Sequence, residues 1–283
     1  MITRFAPSPT GRLHIGHAYS ALFAYEKAME SSGCFILRIE DIDAGRCRPE
    51  FIDGIYEDLH WLGLEWEEPV RVQSQHMDDY KAALDRLNSH GLLYPCFCTR
   101  SDIREEIERA GGAPHGPEGT LYPGTCRSLT PAERMERIED GTPYAMRLDM
   151  RGALEHINNI SLFFNDHTHG KIQATPEILG DVVLARKDCP TSYHLSVCVD
   201  DALQGITCVT RGEDLFYATH LHRLLQELLD LPVPDYHHHP LLTDEAGQRF
   251  AKRNKSVTLA EMREEGYTAE DVKRDIQTRL SNA

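Results

Sequence analysis

The chain has 283 residues, 41% of them apolar and 27% charged, length enough for about two domains and a sizeable core. That composition argues against global disorder, and no run approaches the ~18 consecutive apolar residues of a membrane helix. The net charge of −15 argues against a coat that grips nucleic acid along its length, because counterion release needs many basic contacts. It leaves room for a nucleic-acid enzyme with a local basic patch. The N-terminus lacks the charged region and apolar run of a signal peptide, so a cytoplasmic protein without membrane attachment is expected.

The opening reads as strand, loop, helix. Ile2 to Phe5 is a short apolar strand, and two prolines and a glycine in Ala6–Gly11 exclude regular structure. From Ala18, small and apolar residues recur at 18, 21, 22, 25, 28 and 29, the period of a helix face, and Gly33 ends it. Phe35 to Ile39 predicts a buried strand. Phe51, Ile52, Ile55, Leu59 and Leu62 make one further stripe, and Tyr80, Ala83, Leu84 and Leu87 another. Alternating β and α elements predict an α/β fold, a parallel sheet covered by helices.

Residues 91–165 change character and read as an insertion. Within it, Thr130-Pro131-Ala132-Glu133 is a capping box with proline at the first helical position. The β/α pattern resumes at Asp181–Leu184 and runs to a leucine-rich helix over 215–229. After 241 come a loop and two short helices, the last starting near Thr268.

His14-Ile15-Gly16-His17 falls where the first strand's loop enters a helix, the place where an open α/β sheet binds nucleotides. Two imidazoles can donate to phosphate oxygens, and Gly16 allows close approach to the backbone. Farther on, Arg249, Lys252, Arg253 and Lys255 put four cations within seven residues with no acid among them. In so acidic a chain this reads as a phosphate clamp rather than a solvated loop.

Together these segments carry a resemblance. Residues 4–17 resemble the first signature of class I aminoacyl-tRNA synthetases in its glutamyl version. Lys252-Arg253-Asn254-Lys255-Ser256 resembles the second, lysine-rich signature, departing from it at two of five positions. Tyr193–Asp201 and Arg211-Gly212-Glu213-Asp214 look like the glutamate-site segments of that family. The resemblance implies a Rossmann-type sheet split by an inserted zinc-containing subdomain. Its segments are a first half at 1–90, the insertion at 91–165, a second half at 166–240, and the lysine loop with C-terminal helices at 241–283. It implies ATP with Mg²⁺ and L-glutamate as substrates. It assigns Arg4, Ala6, Ser8, Glu40, Tyr193 and Arg211 to glutamate, together with Phe5 and Pro7 of the same loop. His14, Gly16, His17 and Lys255 fall to ATP, and His14, His17, Lys252 and Lys255 to the chemistry. Arginine suits a carboxylate by its planar fork, which makes Arg211 the candidate for the side-chain carboxylate. Asp41 and Asp43 read as caps of the following loop.

Cys96 and Cys98 are spaced to face one side of an extended segment, and Cys126 returns after turns, so three thiolates leave one corner of a zinc tetrahedron open. The resemblance puts Tyr122 there; His115 is the chemical rival, since imidazole is the commoner zinc ligand. Such a zinc, one per chain, would be structural. The cysteines at 34, 47, 189, 198 and 208 read as core or surface thiols. His237-His238-His239 would alternate along a strand, which argues against one shared metal.

The chain stops 27 residues after Ser256, where glutamyl-tRNA synthetases continue into anticodon-binding helices. This resembles a shorter branch, the glutamyl-queuosine tRNA-Asp synthetases, and implies a monomer that transfers glutamate to queuosine in the tRNA-Asp anticodon loop. A truncated synthetase charging a tRNA 3′ end, and a non-enzymatic paralogue that binds glutamate or tRNA, remain open at this point.

Overall fold

The structure is a computed structural model that describes residues 1–109, 115–117, 119–243 and 257–281, the side chains of 106–109 and 115 excepted. Strand β1 (Ile2–Phe5) leads through the proline loop into α1 (Ile15–Glu30), which buries Ala18, Ala21, Leu22 and Ala28 as the periodicity predicts. Small residues on that face bring α1 close enough for Thr3 Oγ1 to donate to Ala24 O at 2.7 Å. At Gly33 a Cβ would stand 1.8 Å from Met1 O, so only glycine lets the chain turn against the β1 entry. Next come β2 (Cys34–Ile39), α2 (Pro49–Trp61), β3 (Glu67–Val72) and α3 (Met77–Ser89).

The middle of the chain holds β4 (Leu93–Cys96), α4 (Arg100–Arg109), the hairpin β5 (His115–Gly116) and β6 (Gly119–Thr120), and α5 (Pro131–Glu139). β7 (Ala145–Leu148) and α6 (Met150–His156) follow. The capping box is present: Glu133 N donates to Thr130 Oγ1, and Thr130 N donates to Glu133 Oε2. Then come β8 (Phe163–Asp166), β9 (Gly170–Gln173), β10 (Val183–Ala185), α7 (Tyr193–Leu203), β11 (Cys208–Gly212), α8 (Ala218–Leu228) and β12 (Asp235–His239). The described chain ends with α9 (Leu259–Glu264) and α10 (Ala269–Ser281). Thr268 Oγ1 accepts from Asp271 N at the start of α10, where the sequence places it.

The expected parallel sheet is there. β1, β2 and β3 pair in parallel, as do β11, β12 and β8, with β9 antiparallel at the far edge. The two sets meet side by side at β1 and β11, where Thr207 N donates to Ile2 O at 3.0 Å and Arg4 Nη1 to Thr210 O at 2.9 Å. The spatial order is thus β3-β2-β1-β11-β12-β8, and the switch between the halves lies where such sheets open a crevice. Strands interleave across residues 165 and 166. β8 starts at 163 and joins β12, whereas β10 extends the antiparallel β4–β7 pair of the middle segment.

Three apolar clusters hold these layers. One packs α1 and α2 on the β1–β2 side and takes in Leu259, Met262, Val272 and Ile276 of the last two helices. A second gathers Leu195, Leu221, Leu224, Leu225 and Tyr236 of the other half with Tyr80 and Leu87 of α3. The third is small: Tyr94, Phe97, Cys96 and Cys126. Among the described residues no helix is long and apolar enough to cross a membrane.

Candidate active site and cysteine cluster

The carboxyl ends of β1, β2 and β11 and the N-terminus of α1 surround a cleft of about 520 Å³. Arg4, Phe5, Ala6, Pro7, Ser8, His14, Gly16, His17, Glu40, Tyr193 and Arg211 all line it. These are the residues that the sequence singled out for glutamate and ATP, apart from the lysines. Lys252 and Lys255, with Arg249 and Arg253, lie outside the described residues. The chain emerging at 257 returns to this cleft: Thr258 bridges to His14, and Leu259 N donates to Leu13 O at 2.9 Å.

At the helix entry, the two histidines cap α1. Gly16 N donates to His14 Nδ1 at 3.1 Å, and His14 N donates to His17 Nδ1 at 3.2 Å. With both Nδ1 atoms accepting, each ring carries its proton on Nε2. A helix N-terminus edged by two N–H donors suits an anion.

The cations of the cleft differ in how they are matched. Arg38 is fully buried and donates to Asp201 Oδ1 (2.8 Å), Gln204 Oε1 (2.9 Å) and Glu40 Oε1 (3.1 Å). Arg4 donates to the same Asp201 oxygen at 3.0 Å. Asp200, beside them, accepts from Arg71, Gln73 and Tyr80. Burial pushes up the Asp201 carboxyl, but Arg4 and Arg38 outweigh it and hold it below the ordinary range. For Glu40 the balance reverses: burial wins over Arg38 and Arg4, and its carboxyl lies above the usual range. A cation arriving in the cleft would favour its charged form.

Arg211 stands apart. Its guanidinium donates to Thr219 Oγ1 (2.6 Å), His238 Nε2 (3.2 Å), His222 Nδ1 (3.2 Å) and, at 3.4 Å, Tyr193 OH. Among the described residues no carboxylate lies within ion-pair distance of it. Burial and the Arg211 charge drive His222 far below the usual imidazole range and lower His194 and His238 to about 4, so all three rings are neutral at pH 7. A buried guanidinium held by neutral acceptors is prepared for a carboxylate from outside.

Sequence reading missed Arg38, Thr219, His222 and His238. A signal existed for the first: an arginine inside the apolar run 34–39 needs buried acids, and Asp200-Asp201 close the otherwise apolar turn of α7. The histidine triplet, read only as three alternating side chains, places its middle member on Arg211.

Away from the cleft, the Sγ atoms of Cys96, Cys98 and Cys126 lie within 4.8 Å of one another. Tyr122 OH is 3.4 Å from Cys96 Sγ and 3.6 Å from Cys98 Sγ, and Cys98 Sγ is 3.4 Å from Cys126 Sγ. Ligands of a tetrahedral zinc sit roughly 3.5–3.8 Å apart, given its usual Zn–S and Zn–O lengths, so these four side chains fit one ion. The Arg147 guanidinium lies 3.9 Å over the Tyr122 ring and offsets negative charge gathering there. The side chain of His115, the rival ligand, lies outside the described residues.

Comparison with known proteins now bears on this geometry. Residues 1–280 match the family model described as tRNA synthetases class I (E and Q), catalytic domain. The chain belongs to this family. It is 45% identical to the glutamyl-Q tRNA(Asp) synthetase of Rhodobacter capsulatus, over 97% of this chain and 99% of that protein. It is 40% identical to the glutamate-tRNA ligase of Aquifex aeolicus, over 95% of this chain and 54% of that protein. The crystal structure of the glutamate-tRNA synthetase of Elizabethkingia anophelis superposes with a TM-score of 0.79 at 30% identity, over 95% of this chain and 59% of that one. As a class I catalytic domain, the fold puts its two histidines and Arg211 on one crevice at the sheet's switch point.

Proposed function

We propose that the chain activates L-glutamate with ATP and transfers it to the queuosine base in the anticodon loop of tRNA-Asp. The observation that carries this reading is the identity of 45%, end to end, with a relative named for that reaction. The cleft supplies what the chemistry asks. Arg211 offers the glutamate side chain a buried fork with no carboxylate partner among the described residues, Glu40 faces the ammonium, and Tyr193, Ser8 and the Phe5–Pro7 backbone close the pocket around it.

In the first step an α-carboxylate oxygen of glutamate attacks the α-phosphorus of ATP, a P–O bond forms, and the bond to pyrophosphate breaks. The triphosphate, arriving with its Mg²⁺, lies at the N-terminus of α1, where Nε2–H of His14 and His17 donate to it. Lys255, with Lys252, would meet charge building on the leaving pyrophosphate. In the second step a hydroxyl of the queuosine cyclopentene-diol attacks the adenylate carbonyl. An ester forms, AMP leaves, and the hydroxyl proton departs with its phosphate. A base extruded from a single-stranded loop can reach such a crevice.

Labelled glutamate and ATP, incubated with tRNA-Asp, test the acceptor. Label is expected only where queuosine is present, and removing the terminal adenosine should change nothing. Label that requires the terminal adenosine, or that appears on tRNA-Glu, would instead make this a synthetase that charges the 3′ end.

Cys96, Cys98, Tyr122 and Cys126 would hold a structural zinc, which when bound supplies a cross-link between β4 and the turn at 125–128. Elemental analysis should find about one zinc per chain. Cys98→Ser should cut that occupancy and lower the Tm, because metal binding to a preformed site is folding free energy. A metal-free wild type that melts no earlier would remove the site. Zinc lost in His115→Ala but kept in Tyr122→Phe would move the fourth ligand to His115.

A further inference from the structure

We infer that Asp166 and His238 form a positioning pair that aims the Arg211 guanidinium without neutralising it, and so sets the preference for glutamate over glutamine. The inference rests on the reading of Arg211 as partner of the glutamate side chain.

Three neighbouring strands line these groups up. Arg211 on β11 is level with His238 on β12, and β12 in turn pairs with β8 beside Asp166. Both Asp166 and His238 are buried, at 3% and 1% exposure. Asp166 Oδ1 is fixed by the backbone N–H groups of Thr168 and His169, at 2.8 and 2.9 Å. Its Oδ2 lies 2.5 Å from His238 Nδ1. A carboxylate can only accept there, so the ring proton sits on Nδ1 and Nε2 is left as an acceptor. That acceptor takes Arg211 Nε–H at 3.2 Å. The same logic runs through His222, whose Nδ1 accepts from Arg211 Nη1 and whose Nε2 faces His194 Nδ1 at 3.1 Å.

The consequence is electrostatic. Among the described residues each hydrogen-bond partner of the guanidinium is a neutral acceptor, and the carboxylate nearest along this chain of hydrogen bonds, Asp166, stands one imidazole away. A carboxylate placed directly on Arg211 would orient it equally well but cancel its charge, and glutamine could then bind nearly as well as glutamate. With the imidazole as spacer, the fork is oriented and its charge remains for the substrate. A carboxamide brings no charge and can turn an NH₂ toward N–H donors, a mismatch that costs more than a missing contact.

The test is ATP–pyrophosphate exchange with glutamate and with glutamine, using wild type, Asp166→Asn, His238→Phe and His238→Gln. In Asp166→Asn we expect the glutamate KM to rise about tenfold, with kcat within about threefold and the ATP KM within about twofold. Discrimination against glutamine should fall by about tenfold in the same variant. His238→Phe should do at least as much. His238→Gln, whose amide oxygen can take the Arg211 Nε–H, should recover most of the loss. Should His238→Phe fail to fold, Asp166→Asn and His238→Gln still decide. Folded Asp166→Asn with unchanged glutamate KM and unchanged discrimination overturns the inference alone. So does a variant in which both KM values and kcat worsen together with Tm, the mark of a merely structural role. A wild type silent with glutamate overturns the functional reading, and the inference falls with it.

Discussion

Arg211→Ala should lower kcat/KM for glutamate in ATP–pyrophosphate exchange by roughly 10²–10³-fold, while the ATP KM stays within about twofold. The asymmetry follows from the cleft. Arg4 and Arg38 already answer to Asp201 and Glu40, so removing Arg211 deletes the one described cleft arginine without a carboxylate partner. A glutamate side chain then enters a buried site with no cation to receive it, at a cost of about 3–5 kcal/mol if it stays ionised. ATP, whose contacts lie at the α1 N-terminus, is spared. Arg211→Lys should fall between, because one ammonium cannot serve Thr219, His222 and His238 and still present a fork to the substrate. An unchanged glutamate KM in Arg211→Ala would remove Arg211 from the site.

Much of this architecture was legible because local chemistry and global fold agree. Ile2–Phe5, the apolar face of α1 and the Thr130 capping box each specify one element on their own, and the structure shows all three. Arg4 and His14 were legible because strand ends and helix starts are where an α/β sheet exposes side chains, whereas Arg211 came from the resemblance alone. What escaped depends on pairing between distant strands. Nothing near His238 in the chain says that it stands level with Arg211, 27 residues away, or that Asp166, 72 residues away, holds its other nitrogen. The interleaving of β8 and β10 escaped for the same reason: three- and four-residue strands carry little pattern, and their partners are chosen by the sheet. Tyr122 shows the intermediate case. Three cysteines announce a cluster by spacing alone, the resemblance alone names the tyrosine, and the structure sets its hydroxyl 3.4 Å from Cys96 Sγ and 3.6 Å from Cys98 Sγ.

Arg38 is where the largest loss of stability is expected. Arg38→Leu should destabilise the protein by about 3–5 kcal/mol, since it removes the centre of a buried network and leaves its acids behind. For a chain of this size that is a fall in Tm of roughly 5–15 °C, read by calorimetry. Asp201 would keep Arg4 and Asp200 would keep Arg71, but Glu40 loses the Arg38 guanidinium that donates to its Oε1. The pH dependence gives this loss a signature. In the wild type, Asp201 is held below the ordinary range, so its contribution is present above the unfolded pKa and lost as pH falls through its folded value. Glu40 already lies above the range, and without Arg38 it should rise further, so acid neutralises the stranded charge in the variant. Both effects have one sign: the gap between wild type and Arg38→Leu should narrow as pH falls from 7 into the carboxylate range. Arg38→Lys, which restores charge but not the fork that reaches Glu40, Asp201 and Gln204 together, should recover only part of the loss. A gap that stays constant with pH would mean that Arg38 stabilises β2 by packing alone, and that the acids around it find other partners when it is gone.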